Sequence, residues 1–205
     1  IFSPSFENIF VNDAGVYDQI FNYVSLIANN RSDIVKLYAD DIPIFDHFNI
    51  TKQIKTSFGK TVSFKSGAYL IIESTEALHV IDVNSGNRSK NSDSQEGNAL
   101  DVNMRAADEI ARQLRLRDMG GIIVIDFIDM TKERNQRMVE AKLRESTQSD
   151  RARIQFGQLS RFGLMEMSRQ RLRPSLEEAT GYVCPRCHGT GMVRDLRSLS
   201  LSIMR

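Results

Sequence analysis

Leu78-His-Val-Ile-Asp-Val83 and Ile122-Ile-Val-Ile-Asp-Phe127 are short, β-branched apolar runs, each with an aspartate near its carboxyl end. Between the runs, Ala107, Ile110, Ala111 and Leu114 recur at i, i+3, i+4 and i+7, which predicts a helix from about Val102 to Asp118. Gly120-Gly121 reads as its stop. The second run is nearly continuous in its apolar character, as a strand buried in a parallel sheet would be. Strand, loop, helix and buried strand make a βαβ unit, so the expected class is α/β of mixed α+β type.

Downstream, Thr131 opens a helix to about Thr147, and Ala152 to Phe156 reads as a strand. Upstream, Thr61–Phe64 and Tyr69–Glu73 read as strands, with Ser74-Thr75-Glu76 as the hairpin connection to Leu78. The polar stretch Ser85–Asn98 reads as a mobile loop. Residues 13–30 read as a helix capped by Asn12 or Asp13, with Val16, Ile20, Tyr23 and Val24 on its inner face. A strand Ile34–Ala39, a turn at Asp40-Asp41-Ile42-Pro43 and a helical stretch to about Phe58 follow, and none of them carries a chemical motif.

The 205 residues amount to one domain or one and a half on the prior of about 150 per domain. With 41% apolar and 26% charged residues, the composition is neither collagen-like nor disordered. No apolar run approaches the roughly 18 residues of a membrane span. Ile1–Phe10 lack the basic start and apolar stretch of a signal peptide, so the chain reads as an excised segment. Net charge is +1, but unevenly laid out: residues 1–130 hold 12 basic against 18 acidic side chains, and residues 131–205 hold 15 against 8, 13 of the 15 being Arg. The second part therefore suits a polyanion and the first suits acidic chemistry, with solvated helix faces as the plainer alternative.

Parallel neighbours bring their carboxyl ends to the same side, so Asp82 and Asp126 are expected to converge where α/β sheets form crevices. An aspartate inside a run as apolar as Ile122–Ile128 is costly unless its charge is paired or bound to a cation. Two carboxylates, the amide oxygen of Asn84 and waters suit Mg²⁺, which positions a phosphodiester and lowers the pKa of a bound water. The alternative is turn chemistry, with Asp82 capping a turn and Asp126 or Asp129 capping the next helix.

Cys184-Pro-Arg-Cys187-His-Gly-Thr-Gly has the spacing of half a tetrahedral Zn²⁺ site. Two cysteines supply only half the donors, and a second copy of the chain is the simplest source of the rest. His188 reads as a bystander, and His47 and His79 have no cysteine neighbourhood. Such a pair fits a reducing, cytoplasmic compartment better than a disulfide framework. Arg151, Arg153, Arg161, Arg169, Arg171 and Arg173, with Phe156 and Phe162 among them, follow the pattern used for single-stranded nucleic acid: forked guanidinium groups for phosphate and rings for bases. The alternative is a solvated face with two core phenylalanines.

Taken together, Tyr69-Leu-Ile-Ile-Glu-Ser-Thr-Glu-Ala77, Val80-Ile-Asp-Val-Asn-Ser-Gly86, Ala106–Arg117, Gly120–Thr131, Asp150-Arg-Ala-Arg-Ile-Gln155, Ser160–Arg171 and Cys184–Gly191 resemble the ribonuclease E/G family of bacterial endoribonucleases. The resemblance runs nearly continuously from residue 66 to 205. It implies that Asp82 and Asp126 hold a catalytic Mg²⁺ supported by Asn84, which activates water to cut single-stranded RNA into 5′-phosphate and 3′-hydroxyl ends, in rRNA and mRNA processing and decay. It further implies that Cys184 and Cys187 share one Zn²⁺ between two chains, in homodimers that pair further, and that Arg153 lies near a pocket for the RNA 5′-monophosphate. Arg161, Arg169 and Arg171 are expected to contact RNA.

By the same resemblance, residues 1–58 correspond to part of an RNase H-like subdomain, 59–180 to a DNase I-like catalytic subdomain, 181–193 to a zinc link and 194–205 to the start of a further segment. The stretch Asn87–Asn98 departs from the family's Gly-rich acidic pattern. An oligonucleotide-binding barrel and most of the 5′-sensing region have no counterpart among these residues. Two rival readings remain: a non-catalytic zinc-linked module for RNA binding or assembly, and a chaperone-type knuckle of the C-x-x-C-x-G-x-G form, present here in one copy only.

Overall fold

The computed structural model describes residues 7–64, 67–86, 95–187, 189, 191 and 196, and they fall into two compact units, residues 1–56 and 57–205. The mixed α/β class is as expected.

In the first unit, β1 (Ile9–Val11) pairs in parallel with β2 (Val35–Leu37). Between them run α1 (Ala14–Ile27) and a 3₁₀ turn (Asn29–Ile34). Asp13 is the cap, its Oδ1 accepting from the Val16 amide at 2.8 Å. The buried side of α1 is Tyr17, Ile20 and Val24, packed with Val11, Ile34 and Val35. Val16 and Tyr23, expected on that face, are exposed instead. The helix is apolar nearly all round, so periodicity alone does not single out a face. The helical stretch to Phe58 is two pieces, α2 (Ile44–His47) and α3 (Ile50–Ser57), broken where Asn49 takes φ 56°, a conformation Asn tolerates.

The second unit is built on six strands: β3 (Thr61–Ser63), β4 (Tyr69–Ser74), β5 (Leu78–Asn84), β6 (Gly121–Asp126), β7 (Ile154–Leu159) and β8 (Leu164–Arg169), in the order β3-β4-β5-β6-β8-β7. Only β5 and β6 are parallel; every other neighbouring pair is antiparallel. The crossover between them contains α4 (Gln95–Arg117), and α5 (Glu133–Ser146) follows β6. Ile81, Val83, Ile123, Ile125, Met165 and Met167 form one core with Val102, Ala106, Ile110 and Leu114 of α4 and Val139 and Leu143 of α5. The helices thus cover one face of the sheet.

Four expectations change. The run Ile122–Phe127 is not buried on both faces: Ile123 and Ile125 are sealed, but Ile122 is 54% exposed and Asp126 is exposed. Two outward apolar residues, Ile122 and Val124, hide the two-residue period of a half-buried strand. Next, α4 begins at Gln95, seven residues before the predicted start, so the loop expected over Ser85–Asn98 is shorter; its residues 87–94 lie outside the described set. Third, the Arg-rich stretch contains β8, whose alternation Met165/Met167 was masked by flanking charges.

Fourth, the stop of α4 is Asp118, at φ 52°, with Met119 N–H donating back to the Leu114 carbonyl at 3.1 Å. Gly120-Gly121 has another reason. A Cβ on Gly120 would lie 2.6 Å from Arg171 Cγ and 3.0 Å from its Cα, so only glycine admits the Arg171 stem there.

Arg169 ties the last strand to both helix ends. Its Nε and Nη2 donate to the two oxygens of Asp150 at 2.9 and 3.0 Å, and Nη1 donates to the Met119 carbonyl at 2.8 Å and to Asp118 at 3.4 Å. Arg173 pairs with the other Asp118 oxygen. Burial pushes the Asp150 carboxyl up, but the bonds from Arg169 and the Ala152 amide, with the charges of Arg169 and Arg115, outweigh it and hold it below the usual carboxylate range.

Because both side chains of the Asp150–Arg169 pair are buried, Asp150→Ala takes the acceptors from Nε and Nη2 of a buried guanidinium and is expected to cost about 3–5 kcal/mol in urea unfolding. The folded carboxyl sits below its unfolded value, so its contribution is complete above the usual carboxylate range and is lost as pH falls through it. The wild-type advantage over Asp150→Ala should therefore shrink in acid.

Candidate functional site

The parallel register sets Asp82 directly opposite Asp126, both on the sheet face that the helices leave open. Asp126 closes β6, and Asp82 lies two residues before the end of β5. The carboxyl-end placement is as expected, although the side chains leave from the open face rather than from within an apolar run. Asn84 joins them: its Nδ2 donates to Asp82 Oδ2 at 2.8 Å. The amide nitrogen thus steadies Asp82, whereas the sequence reading gave the amide oxygen the ligand role.

Partial burial pushes the Asp126 carboxyl up, and the charges of Asp82 and Asp129 push it the same way. No Lys or Arg pairs with Asp82 or Asp126 among the described residues. The donors are the carboxylate oxygens of Asp82 and Asp126, paired with no cation among the described residues, which fits a hard divalent cation such as Mg²⁺. A cavity of about 550 Å³, lined by Ser85, Glu96, Asn98, Ile128, Asp129 and Thr131, lies between the start of α4 and the loop after β6, and neither Asp82 nor Asp126 lines it.

The loop after Asp126 is held by α4 through two residues that the sequence reading missed. Asn103 is 0% exposed; its Nδ2 donates to the Ile128 carbonyl at 2.8 Å and its Oδ1 accepts from the Ile128 amide at 3.0 Å. The side-chain amide completes the backbone as a strand partner would. Glu96 accepts from the Thr131 amide and hydroxyl at 3.0 and 2.8 Å, from the Lys132 amide at 3.1 Å and from Asn135 Nδ2 at 2.8 Å. Lys132 at the N-cap of α5 offers no acceptor, so Glu96 caps that helix from outside. These bonds, the Thr131 amide foremost, lower its pKa to about 2. The available signal was an Asn within the apolar stripe of a helix, at Val102-Asn103.

The turn between β7 and β8 closes on the same loop. Phe127 N–H donates to the Gly163 carbonyl at 3.2 Å, and a Cβ on Gly163, at φ 77°, would lie 3.0 Å from Asp129 Oδ1. Arg161 lies in this turn, its guanidinium carbon 5.1 Å from the Phe162 ring centroid. Arg153 is exposed ahead of β7. Arg171 is exposed and 3.6 Å from Glu178. Arg169 differs from the other three: 4% exposed and committed to Asp150, Asp118 and Met119, it has no free fork for phosphate. Phe156 is partly buried against the core and carries Arg144 at 4.8 Å from its ring.

Cys184 is exposed and Cys187 half-buried, and the two form no disulfide. Backbone N–H groups of Gly191 and Gly189, then the Cys184 side chain, lower the Cys187 thiol. Both glycines have positive φ, the knuckle geometry that aims their amides at a thiolate. His188 lies outside the described residues. No group of three or more His, Cys, Asp or Glu gathers for a metal among the described residues, so this pair offers two donors. No helix there is long and apolar enough to cross a membrane.

The family model described as "Ribonuclease E/G family" matches residues 1–172, including the first 65 residues, which carry no motif. Ribonuclease E of Escherichia coli (strain K12) is 58% identical over 174 residues, 85% of this chain and 16% of that protein. Ribonuclease E of Haemophilus influenzae is 50% identical over 197 residues, 96% of this chain and 21% of that protein. Ribonuclease G of Escherichia coli (strain K12) is 36% identical over 201 residues, 97% of this chain and 40% of that protein. The chain therefore spans less than half the length of these curated relatives.

Asn103→Ala leaves the partly buried Ile128 amide and carbonyl without their partner, at up to about 1–3 kcal/mol for each group. Urea unfolding should report a loss of that size; an unchanged midpoint would mean that Asn103 does not hold the loop.

Proposed function

Since the chain belongs to the ribonuclease E/G family, we propose that it carries the catalytic centre of a Mg²⁺-dependent endoribonuclease that hydrolyses single-stranded RNA to 5′-phosphate and 3′-hydroxyl ends. The reading rests on one observation: Asp82 and Asp126 face each other across a parallel ladder with their charge uncompensated. Both carboxylates hold the ion, and Asn84 fixes the orientation of Asp82. A bound Mg²⁺ supplies positive charge to a phosphodiester and a water of lowered pKa. Arg153, Arg161 and Arg171, exposed around the sheet, bind backbone phosphates. Arg169 acts at one remove, as the residue that positions β8 against β6.

In this reading residues 1–58 are part of an RNase H-like subdomain, 59–180 a DNase I-like one and 181–193 a zinc link. Cys184 and Cys187 meet the same pair from a second copy around one Zn²⁺, closing a four-thiolate site by two-fold symmetry. Such dimers pair further. The setting is the cytoplasm, in rRNA and mRNA processing and decay.

The test is cleavage of an end-labelled, 5′-monophosphorylated single-stranded RNA in Mg²⁺. The native chain should cut, and Asp126→Asn should cut about 10²–10³-fold more slowly, the scale of losing one transition-state charge contact. Equal rates would remove Asp126 from the chemistry, and binding without cutting by either would favour a non-catalytic RNA-binding module.

For the zinc link, Cys187→Ala should halve the sedimenting mass of the Zn²⁺-loaded protein while its circular dichroism stays native. An unchanged mass would rule out a shared ion.

A further inference from the structure

The turn 160–163 joins β7 to β8 and is fastened from several sides. Ser160 N–H donates to the Leu164 carbonyl at 2.8 Å, Gly163 N–H to the Ser160 carbonyl at 3.0 Å, and the Ser160 Oγ accepts from the amides of Phe162 and Leu164 at 3.2 and 3.3 Å. The turn is also pinned to the catalytic loop, through Phe127 N–H on the Gly163 carbonyl and the contact of Gly163 with Asp129. Leu164, the next residue, is the register partner of Asp126. The backbone here is set without help from Phe162.

Phe162 is nevertheless 68% exposed at the apex of this turn. Phe156, the other aromatic residue of the Arg-rich stretch, is drawn into the core. Arg161 lies against the Phe162 ring, and it makes no ion pair among the described residues. A large ring held out by a rigid turn, with a cation against it and a carboxylate pair beside it, has the parts of a platform for single-stranded nucleic acid.

We propose that Phe162, with Arg161 against its ring, stacks a nucleobase of the RNA strand as it passes the carboxylates of Asp82 and Asp126. The inference deepens the nuclease reading and rests on it for the identity of the ligand. The Arg161 cation adds attraction for the adjoining phosphate, and stacking tolerates any base because each has a π face. The platform therefore fixes the strand's path past the carboxylates more than its sequence.

The test is fluorescence titration of single-stranded RNAs carrying 2-aminopurine at successive positions, with Mg²⁺ left out so that nothing is cut and bound Zn²⁺ is kept. The native chain should change the fluorescence at one or two adjacent positions. Phe162→Ala should abolish that change and weaken binding about tenfold, Phe162→Tyr should restore both, and Phe162→Leu should not. With the ring so exposed, the Tm should stay unchanged in all three variants. A native chain with no positional signal, an Ala variant that binds like the native one, or a Leu variant that serves as well as Tyr would each overturn the proposal. Because binding is read without Mg²⁺, a failure of cleavage elsewhere retires hydrolysis and leaves stacking standing, and the reverse result separates the two in the same way.

Discussion

The site depends on one pairing. In a sheet whose other neighbours are all antiparallel, β5 and β6 run parallel, and their register puts Asp82 against Asp126. A parallel pair needs a crossover, and α4 supplies its rigid part while sealing the sheet's inner face through Val102, Ala106, Ile110 and Leu114. A slip of one residue in either strand would send its isoleucine, Ile81 or Ile125, to solvent and turn its carboxylate toward the helices. The hydrophobic core and the acidic pair thus enforce the same register. Burial of the isoleucines holds together two like charges that repel each other.

The surrounding contacts hold what that register sets up. Asn103 and Glu96 reach from α4 to the loop that leaves Asp126, one completing the Ile128 backbone and the other capping α5. On the far side, Arg169 binds β8 to the end of α4 and to Asp150, while the 160–163 turn rests on Phe127 and Asp129. A side chain that moved when a phosphodiester arrived would waste binding energy on ordering, so satisfying these polar groups beforehand is what a preorganised site requires. The arginines divide accordingly, with Arg169 buried for structure and Arg153, Arg161 and Arg171 exposed.

Much of this was legible in the residues. The βαβ unit, the β4–β5 hairpin and the meeting of Asp82 with Asp126 follow from apolar runs, turn residues and the rule that parallel strands end on one side. The open face of β6 was not legible, because Ile122 and Val124 face outward and disguise the period. Nor was β8, whose Met165 and Met167 lie among charges, nor the fate of Arg169, since a guanidinium written in sequence carries no sign of being buried. Asn103 and Glu96 act across 25 and 35 residues or more, distances that only a fold can close. The Gly120-Gly121 pair was read as a helix stop, yet its requirement comes from Arg171, which is far away in sequence.

On our proposal, this register makes a site for a hard divalent cation. The most direct measurement is Mn²⁺ binding, as a paramagnetic stand-in for Mg²⁺, followed by electron paramagnetic resonance on the native chain and on Asp82→Asn. The native chain should bind one Mn²⁺ that Mg²⁺ displaces, and Asp82→Asn should lose it with the fold intact. Equal Mn²⁺ binding by both proteins would contradict it.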